Sequence, residues 1–308
     1  MSNITRRAAI GLGAAGIAAG AAFGQAAAEK DGGPKTSAAP GARNRPLICG
    51  YSGNLAQIGY AELGMIAQQI GYDAIDLTIL EGGHVNPHIA NVDVVRAIES
   101  VRGAGLEVPM ISTTLTTVGD PTAYPVLAIT GRTGVHLYRT GYWRWGFIPD
   151  MARRMAEIRA DLTNLTAVGR QYQMTAMIPN RAGGYFGESV WDTNLMIAGI
   201  DPSLIGFCFD PSQMESWEAP LLLIRPRLLS VVVQDYTWDK DGKVWSRRMC
   251  PLGEGAVDWE LFFRILAQSR FTGPLSIHCQ YAAPDMIGAQ AKDIEFVRKH
   301  IDNAWKAI

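Results

Sequence analysis

The chain has little cysteine: four residues in 308, too few for a disulfide scaffold. It has no charge excess, since 28 Lys+Arg stand against 29 Asp+Glu, and neither a basic excess nor an acidic tail points to a nucleic-acid partner. No apolar run combines spanning length with a spanning composition, so no stable membrane span is expected in the mature chain. Heptads, short tandem repeats and interior low-complexity segments are missing. No glycine-rich phosphate fingerprint follows the first strand pattern, so no nucleotide cofactor is expected. What is present is 48% hydrophobic and 19% charged residues, a balance that supports a packed core and excludes a disordered chain.

Residues 1–46 differ from the rest. Thr5-Arg6-Arg7 precedes an Ala/Gly-rich apolar run from Ala8 to Phe23, and Ala26-Ala27-Ala28 supplies a small-x-small exit. A charged start, a short apolar stretch and a small-residue cleavage site read as a signal peptide over 1–28, with a membrane anchor or a chance helix as the alternative. The paired arginines and the weak apolar stretch match a twin-arginine signal, with Ala9 where that pattern prefers Phe. The expectation is export by the twin-arginine machinery to the periplasm or beyond, then a flexible linker over 29–46 and a folded domain over 47–308. That route carries folded proteins out of a reducing cytoplasm. Cys49, Cys208 and Cys279, inside strand-like runs, therefore read as buried inert thiols, and Cys250 is placed in a loop without a role.

The body alternates short apolar runs with helical patterns. Strands are expected at 47–51, 74–78, 108–115, 135–138, 174–178, 205–209, 228–233 and 275–277. Helical spacing lies between them and after the last, from Tyr60–Ile70 to Ile294–Trp305. Asp241-Gly242 marks a turn within 238–244. Eight strand–helix units in roughly 260 residues predict an α/β fold, a (β/α)8 TIM barrel, with a doubly wound open sheet as the alternative.

In a barrel the strand C-termini form the functional face. Polar residues gather there: Ser52 and Asn54, then Asp76, then Glu81 and His84, then Thr113 and Thr114. Arg139, Tyr142 and Trp143 follow the fourth strand, Asn180 and Arg181 the fifth. Asp210 and Gln213 follow the sixth, Asp235 and Trp238 the seventh, and His278 and Gln280 the eighth. Asp210, before Pro211, is either a turn or cap residue or a carboxylate at the barrel mouth. Alternation turns Ser276, His278 and Gln280 inward. His84 follows two glycines, where backbone can approach a ligand closely. Trp143, Trp238 and Tyr142 read either as a wall for a sugar face or as ordinary packing. His136 and His300 read as structural or solvated.

Four segments carry a resemblance: Gly71-Tyr72-Asp73-Ala74-Ile75-Asp76-Leu77, Phe209-Asp210-Pro211-Ser212-Gln213, Leu252-Gly253-Glu254-Gly255-Ala256-Val257-Asp258-Trp259, and Phe271-Thr272-Gly273-Pro274-Leu275-Ser276-Ile277. In this order, over residues 47–305, the chain resembles the sugar phosphate isomerase/epimerase family of xylose isomerase-like TIM barrels. The resemblance implies a divalent metal, Mg²⁺ or Mn²⁺, held by Glu, Asp, His and Glu on strands five to eight. Here those positions hold Pro179, Asp210, Val232 and His278, and Gln213 stands where a His often follows the Asp motif. Asp210 and His278 are the remaining metal ligands. A tight site would need completion by His84, Asn180, Gln213 or Asp235, so the metal is expected to be weak or absent.

The resemblance further implies an isomerase, epimerase or lyase-like enzyme that moves a proton on a sugar through an enediol-type intermediate. His278, His84 and Asp210 are the expected catalytic residues. Asn54, Glu81, Arg139, Trp143, Asn180, Arg181, Gln213, Asp235 and Trp238 are the expected substrate contacts. Without a metal, Arg139 or Arg181 would stabilise the oxyanion. A non-catalytic sugar-binding barrel that has lost the metal site is the other function class.

Overall fold

The computed structural model describes residues 44–146 and 150–306. The signal-peptide pattern, and all of the expected linker but its last three residues, lie outside the described residues. Eight parallel strands close into a barrel: β1 (Ile48–Tyr51), β2 (Ala74–Ile79), β3 (Glu107–Thr113), β4 (Leu137–Arg139), β5 (Thr175–Pro179), β6 (Ile205–Phe209), β7 (Leu228–Val233) and β10 (Leu275–Ile277). The closing pair runs Ile48↔Leu275, Cys49↔Ser276 and Gly50↔Ile277, which excludes the open-sheet alternative.

A helix follows each barrel strand: α1 (Tyr60–Ile70), α2 (Ala90–Gly103), α3 (Ala123–Arg132), α4 (Met151–Tyr172), α5 (Val190–Met196), α6 (Glu218–Ile224), α7 (Trp259–Gln268) and α8 (Met286–Trp305). Their starts are set by local chemistry. The side chains of Asp150, Ser189, Asp258 and Asp285 each accept a backbone N–H of the first turn, which offsets donors the helix cannot satisfy. Among the described residues no helix is long and apolar enough to cross a membrane.

The core has two parts. A large apolar shell fills the space between strands and helices. A small separate layer fills the barrel lumen: Met110, Leu137, Met177, Cys208, Leu229 and Val232. Polar side chains stand on the strand positions that follow this layer. Pro109 lacks the N–H that a paired strand needs. It falls where the β2–β3 register slips between Ala74 and Asp76, and the bulge absorbs it just before the polar layer begins.

Between β7 and α7 the chain makes an antiparallel hairpin, β8 (Asp235–Asp241) with β9 (Val244–Cys250), in full register from Asp235↔Cys250 to Asp241↔Val244. The expected turn at Asp241-Gly242 is its tip. Cys250 is therefore not in a loop; it ends β9 and is buried, and all four cysteines are free and buried. Burial pushes the Cys250 thiol up to about 11 and the Cys208 thiol up to about 12, which keeps both unreactive.

Candidate active site

The polar layer is built around Asp76 on β2. Ser112 on β3 donates to its two carboxylate oxygens at 2.8 and 3.0 Å, and Ser276 on β10 donates to Oδ2 at 2.7 Å. β10 and β2 are not neighbours, since β1 lies between them, so the Ser276–Asp76 bond runs through the lumen. His278 adds the next link: Nε2 lies 3.1 Å from Ser276 Oγ and 3.8 Å from Asp76 Oδ2. The Ser276 hydroxyl hydrogen is given to Asp76, so its oxygen can only accept from the imidazole. Nε2 therefore carries the proton and Nδ1 keeps a lone pair. The ring stacks on Tyr51 of β1, with centroids 3.9 Å apart. Burial lowers the His278 pKa below its ordinary value, against the pull of Asp76, and keeps the imidazole neutral.

Arg139, at the end of β4, supplies the cation of this layer. Its Nε donates to Ser112 Oγ at 3.0 Å and its Nη1 to the Tyr142 hydroxyl at 2.7 Å. Burial disfavours its charge, but Tyr142, Tyr51, Cys208 and Asp76 more than offset that and the guanidinium stays protonated.

Asp210 sits beyond β6 in a separate network. Oδ1 accepts from the Ser212 amide at 2.9 Å and the Ser212 hydroxyl at 2.7 Å. Oδ2 accepts from Gln213 Nε2 at 3.3 Å and from Gln234 Nε2. Asn180 ties the Asp210 backbone to the end of β5 through two bonds, at 2.7 and 2.8 Å. Asp210 thus caps a short turn, as the first alternative reading allowed, and keeps a perturbed carboxyl as well. Burial raises its pKa to about 6 against these four donors. Gln234 joins this network to β7, next to the His278 strand, but among the described residues no hydrogen bond or ion pair links Asp210 to His278.

Among the described residues, three polar atoms around the mouth are buried without a hydrogen-bond partner: Asn54 Nδ2, His84 Nε2 and Gln234 Oε1. They stand on the segments after β1, β2 and β7. His84 Nδ1 faces the Ser52 carbonyl at 3.4 Å, and burial lowers the His84 pKa. At Gly83 a Cβ would lie 2.9 Å from Leu80 and 3.0 Å from Thr78 Oγ1, so the backbone there packs closely on the chain's own side chains.

Other expected site residues stand elsewhere. Asp235 is fully buried and accepts five N–H groups: Tyr236, Gly253, Gly255, Val257 and, at 2.8 Å, the Trp259 indole. It clamps the loop into α7 and does not face a substrate. Trp143 is core: its ring packs edge-on against Phe186, and Nε1 donates to Asp161 at 3.3 Å. Glu81 is exposed and faces His88 at 3.4 Å, outside the mouth. Trp238 lies on the hairpin, 42% exposed, under the Arg247 guanidinium. Tyr51, Ser112 and Gln234 went unassigned. Strand alternation is the signal that finds Ser112, and nothing local marks Gln234. A cavity of about 450 Å³ beside Leu47, Asp73 and Arg298 lies at the opposite, N-terminal end, away from the polar layer.

The residues present do not fit a hard divalent cation. Such ions favour several anionic oxygens. Among the described residues no three His, Cys, Asp or Glu side chains are placed to hold one. Asp210 is surrounded by four neutral donors, His278 has only its Nδ1 lone pair to offer and brings no negative charge, and Val232 belongs to the apolar layer.

A sequence profile of the xylose isomerase-like TIM barrel family matches residues 66–300. Solved structures with the same fold include a xylose isomerase-like TIM barrel protein from Mycobacterium smegmatis in complex with magnesium: 15% identity, 84% of this chain and 97% of that one, TM-score 0.66. A D-allulose 3-epimerase from Methylomonas sp. in complex with D-allulose matches at 14% identity, 83% and 97% coverage and TM-score 0.65. A 3-keto-D-glucoside 4-epimerase from E. coli matches at 13% identity, 83% and 100% coverage and TM-score 0.66. At these identities the likeness is one of fold. No curated protein sequence matches the chain.

Proposed function

The chain belongs to the xylose isomerase-like TIM barrel family, and from that premise we propose that it is a sugar isomerase or epimerase working by proton transfer next to a carbonyl, with His278 as the base. The observation that carries this reading is the Asp76–Ser276–His278 chain, which holds a neutral imidazole with Nδ1 unbonded at the barrel mouth. The fold neighbours that act on sugars support the substrate class. The unpartnered atoms of Asn54, His84 and Gln234 support a hydroxylated ligand, which would relieve the cost of leaving them unbonded.

In this mechanism Nδ1 of His278 takes the proton from the carbon beside the carbonyl, and the electron pair of that C–H bond moves to the carbonyl oxygen. Arg139, held by Ser112 and Tyr142, donates to the resulting oxyanion through N–H groups those two do not use. Return of the proton from His278 to the former carbonyl carbon, while the neighbouring hydroxyl passes its proton to the oxyanion and becomes the new carbonyl, gives isomerisation. Delivery from protonated Asp210 to the opposite face gives epimerisation, and a carboxyl raised to about 6 is suited to that exchange near neutral pH.

The test is solvent exchange. A panel of ketoses and aldoses is incubated with the protein in D2O, and deuterium at the carbon beside the carbonyl is read by NMR. His278→Gln should slow exchange by about 10²- to 10⁴-fold, the range for a general base; exchange at the wild-type rate in that variant overturns the assignment. A second reading, a sugar-binding barrel without turnover, is favoured by Pro179 and Val232 at the expected ligand positions. It predicts sugar binding with no exchange in the wild type. The Arg6-Arg7 pattern supports export of the folded domain to the periplasm or beyond.

A further inference from the structure

Arginine and tyrosine alternate in a ladder that climbs from the polar layer to the outside of the mouth. Arg139 lies 5.5 Å from the Tyr142 ring centroid and hydrogen-bonds its hydroxyl. Arg181, after β5, stacks on the same ring at 4.7 Å and on Tyr185 at 5.0 Å. Arg144 stacks on Tyr185 at 4.5 Å. The two loops that carry the ladder are fastened by a short antiparallel bridge, with Phe186 N donating to Trp143 O at 2.8 Å and Trp145 N to Gly184 O at 3.0 Å.

Counter-charge is what the outer rungs of this ladder lack, Arg139 alone having Asp76 behind it across Ser112. Among the described residues none of Arg139, Arg144 and Arg181 forms a salt bridge, whereas Arg154, Arg170, Arg248 and Arg298 each do. The nearby carboxylates are committed: Asp76 to two serines, Asp161 to the Trp143 indole, Glu188 to the Gly184 amide. Ring stacking fixes the guanidinium planes without using their N–H forks, which leaves Arg181 oriented and free to bind an anion in bidentate fashion.

We propose that the substrate is an acidic sugar, and that Arg181, with Arg144 beyond it, binds its carboxylate while the carbonyl end reaches Arg139 and His278. This inference rests on the sugar-enzyme reading and adds the charge of the ligand to it. The ladder sets the order: the arginine bonded into the Asp76 layer is at the inner end, and the unpaired exposed arginines are at the outer end.

The test is calorimetric titration of the protein with galacturonate and glucuronate, with galactose and glucose as neutral counterparts and sodium sulfate as a bare anion. A uronate should bind at least tenfold more tightly than its neutral parent, and the preference should shrink as salt is raised. Arg181→Gln should abolish the preference, and Arg181→Lys, which keeps the charge but not the planar fork, should retain part of it. Neutral sugars binding as tightly as uronates overturn the acidic-sugar inference and leave the sugar reading standing. Sulfate binding as tightly as a uronate overturns it as well, since the ladder would then recognise charge alone. Binding of no sugar of either kind overturns both.

Discussion

Replacement of Asp235 by Asn should unfold the chain far more readily than any change at the mouth. Oδ1 accepts the Tyr236 amide at 2.9 Å and the Val257 amide at 3.2 Å. Oδ2 accepts Gly253 at 3.1 Å, Gly255 at 3.2 Å and the Trp259 indole at 2.8 Å. An amide has one acceptor oxygen, so whichever way it turns its NH2 faces two or three donors with nothing to offer them. At ~1–3 kcal/mol for each stranded buried donor the loss is ~2–6 kcal/mol in the better orientation, which strands two, in line with the ~3–5 kcal/mol of a broken buried charge network. For a domain of this size that is a fall in Tm on the order of 10 °C. Circular dichroism melts and urea titrations measure it, and faster amide exchange at Gly253, Gly255 and Val257 would locate it. Gly255→Ala gives an independent handle, since its Cβ would lie 2.1 Å from Asp235 Oδ1. Its cost should shrink in an Asp235→Ala background, because the two sites share one contact. A melt of Asp235→Asn within about 2 °C of wild type, on the size scaling used above, would refute the clamp.

The other expectations are brief. Asp210 titrates at about 6 in the fold against 3.8 unperturbed, so its contribution is fully present below the unperturbed value and is lost as pH rises through 6. The wild-type minus Asp210→Asn stability difference should therefore fall by about 2–3 kcal/mol between pH 4 and pH 7; a flat difference in urea titrations contradicts it. His278 runs the other way. Its pKa is lowered by burial, so its contribution is present above the ordinary histidine value and lost as pH drops below it, and exchange activity should fail on the acid side. Elemental analysis after dialysis should find no stoichiometric Mg²⁺ or Mn²⁺, and one bound equivalent would overturn the reading of the donor set. Arg6→Lys with Arg7→Lys should retain the full-length chain in the cytoplasm; unchanged delivery of the mature chain in fractionated cells argues against twin-arginine export.

The barrel was legible because its strands are buried on both sides. Ile205–Phe209 has no polar residue and Leu228–Val233 only Ser230, and such buried runs alternate with helical patterns along the chain. The hairpin was not legible as strands. Asp235–Asp241 and Val244–Cys250 are mostly exposed and charged, and only the Asp241-Gly242 turn betrays them. The mouth was legible as a set of strand ends: Arg139, Asn180, Asp210, Gln213 and His278 all stand at or just after the C-terminal ends of barrel strands. Asp235 was misread because its partners are backbone N–H groups, which no side-chain pattern displays. The clue was the loop itself: Gly253, Gly255 and Trp259 within seven residues let three donors converge on one carboxylate. At Trp143 the packing alternative holds, and its partner Asp161 lies 18 residues away on α4, beyond any local pattern.

The changes at the expected metal positions form a consistent electrostatic set. Two Glu, one Asp and one His would bring three negative charges to the mouth and would need a cation to offset them. This chain keeps one of those carboxylates, Asp210, and surrounds it with the neutral donors of Ser212, Gln213 and Gln234. With Pro179, Val232 and His278 at the other positions no divalent charge is called for. A positive charge is still built in, at Arg139, and it lies on β4 rather than on strands five to eight. The serines that bind Asp76 also bind the two groups the proposed chemistry uses, Ser112 the guanidinium and Ser276 the imidazole. Asp76 is thus the buried carboxyl group that positions both a fixed cation and a neutral base. In this arrangement the oxyanion would be met by a guanidinium that cannot dissociate from the protein, and its charge would not depend on metal supply.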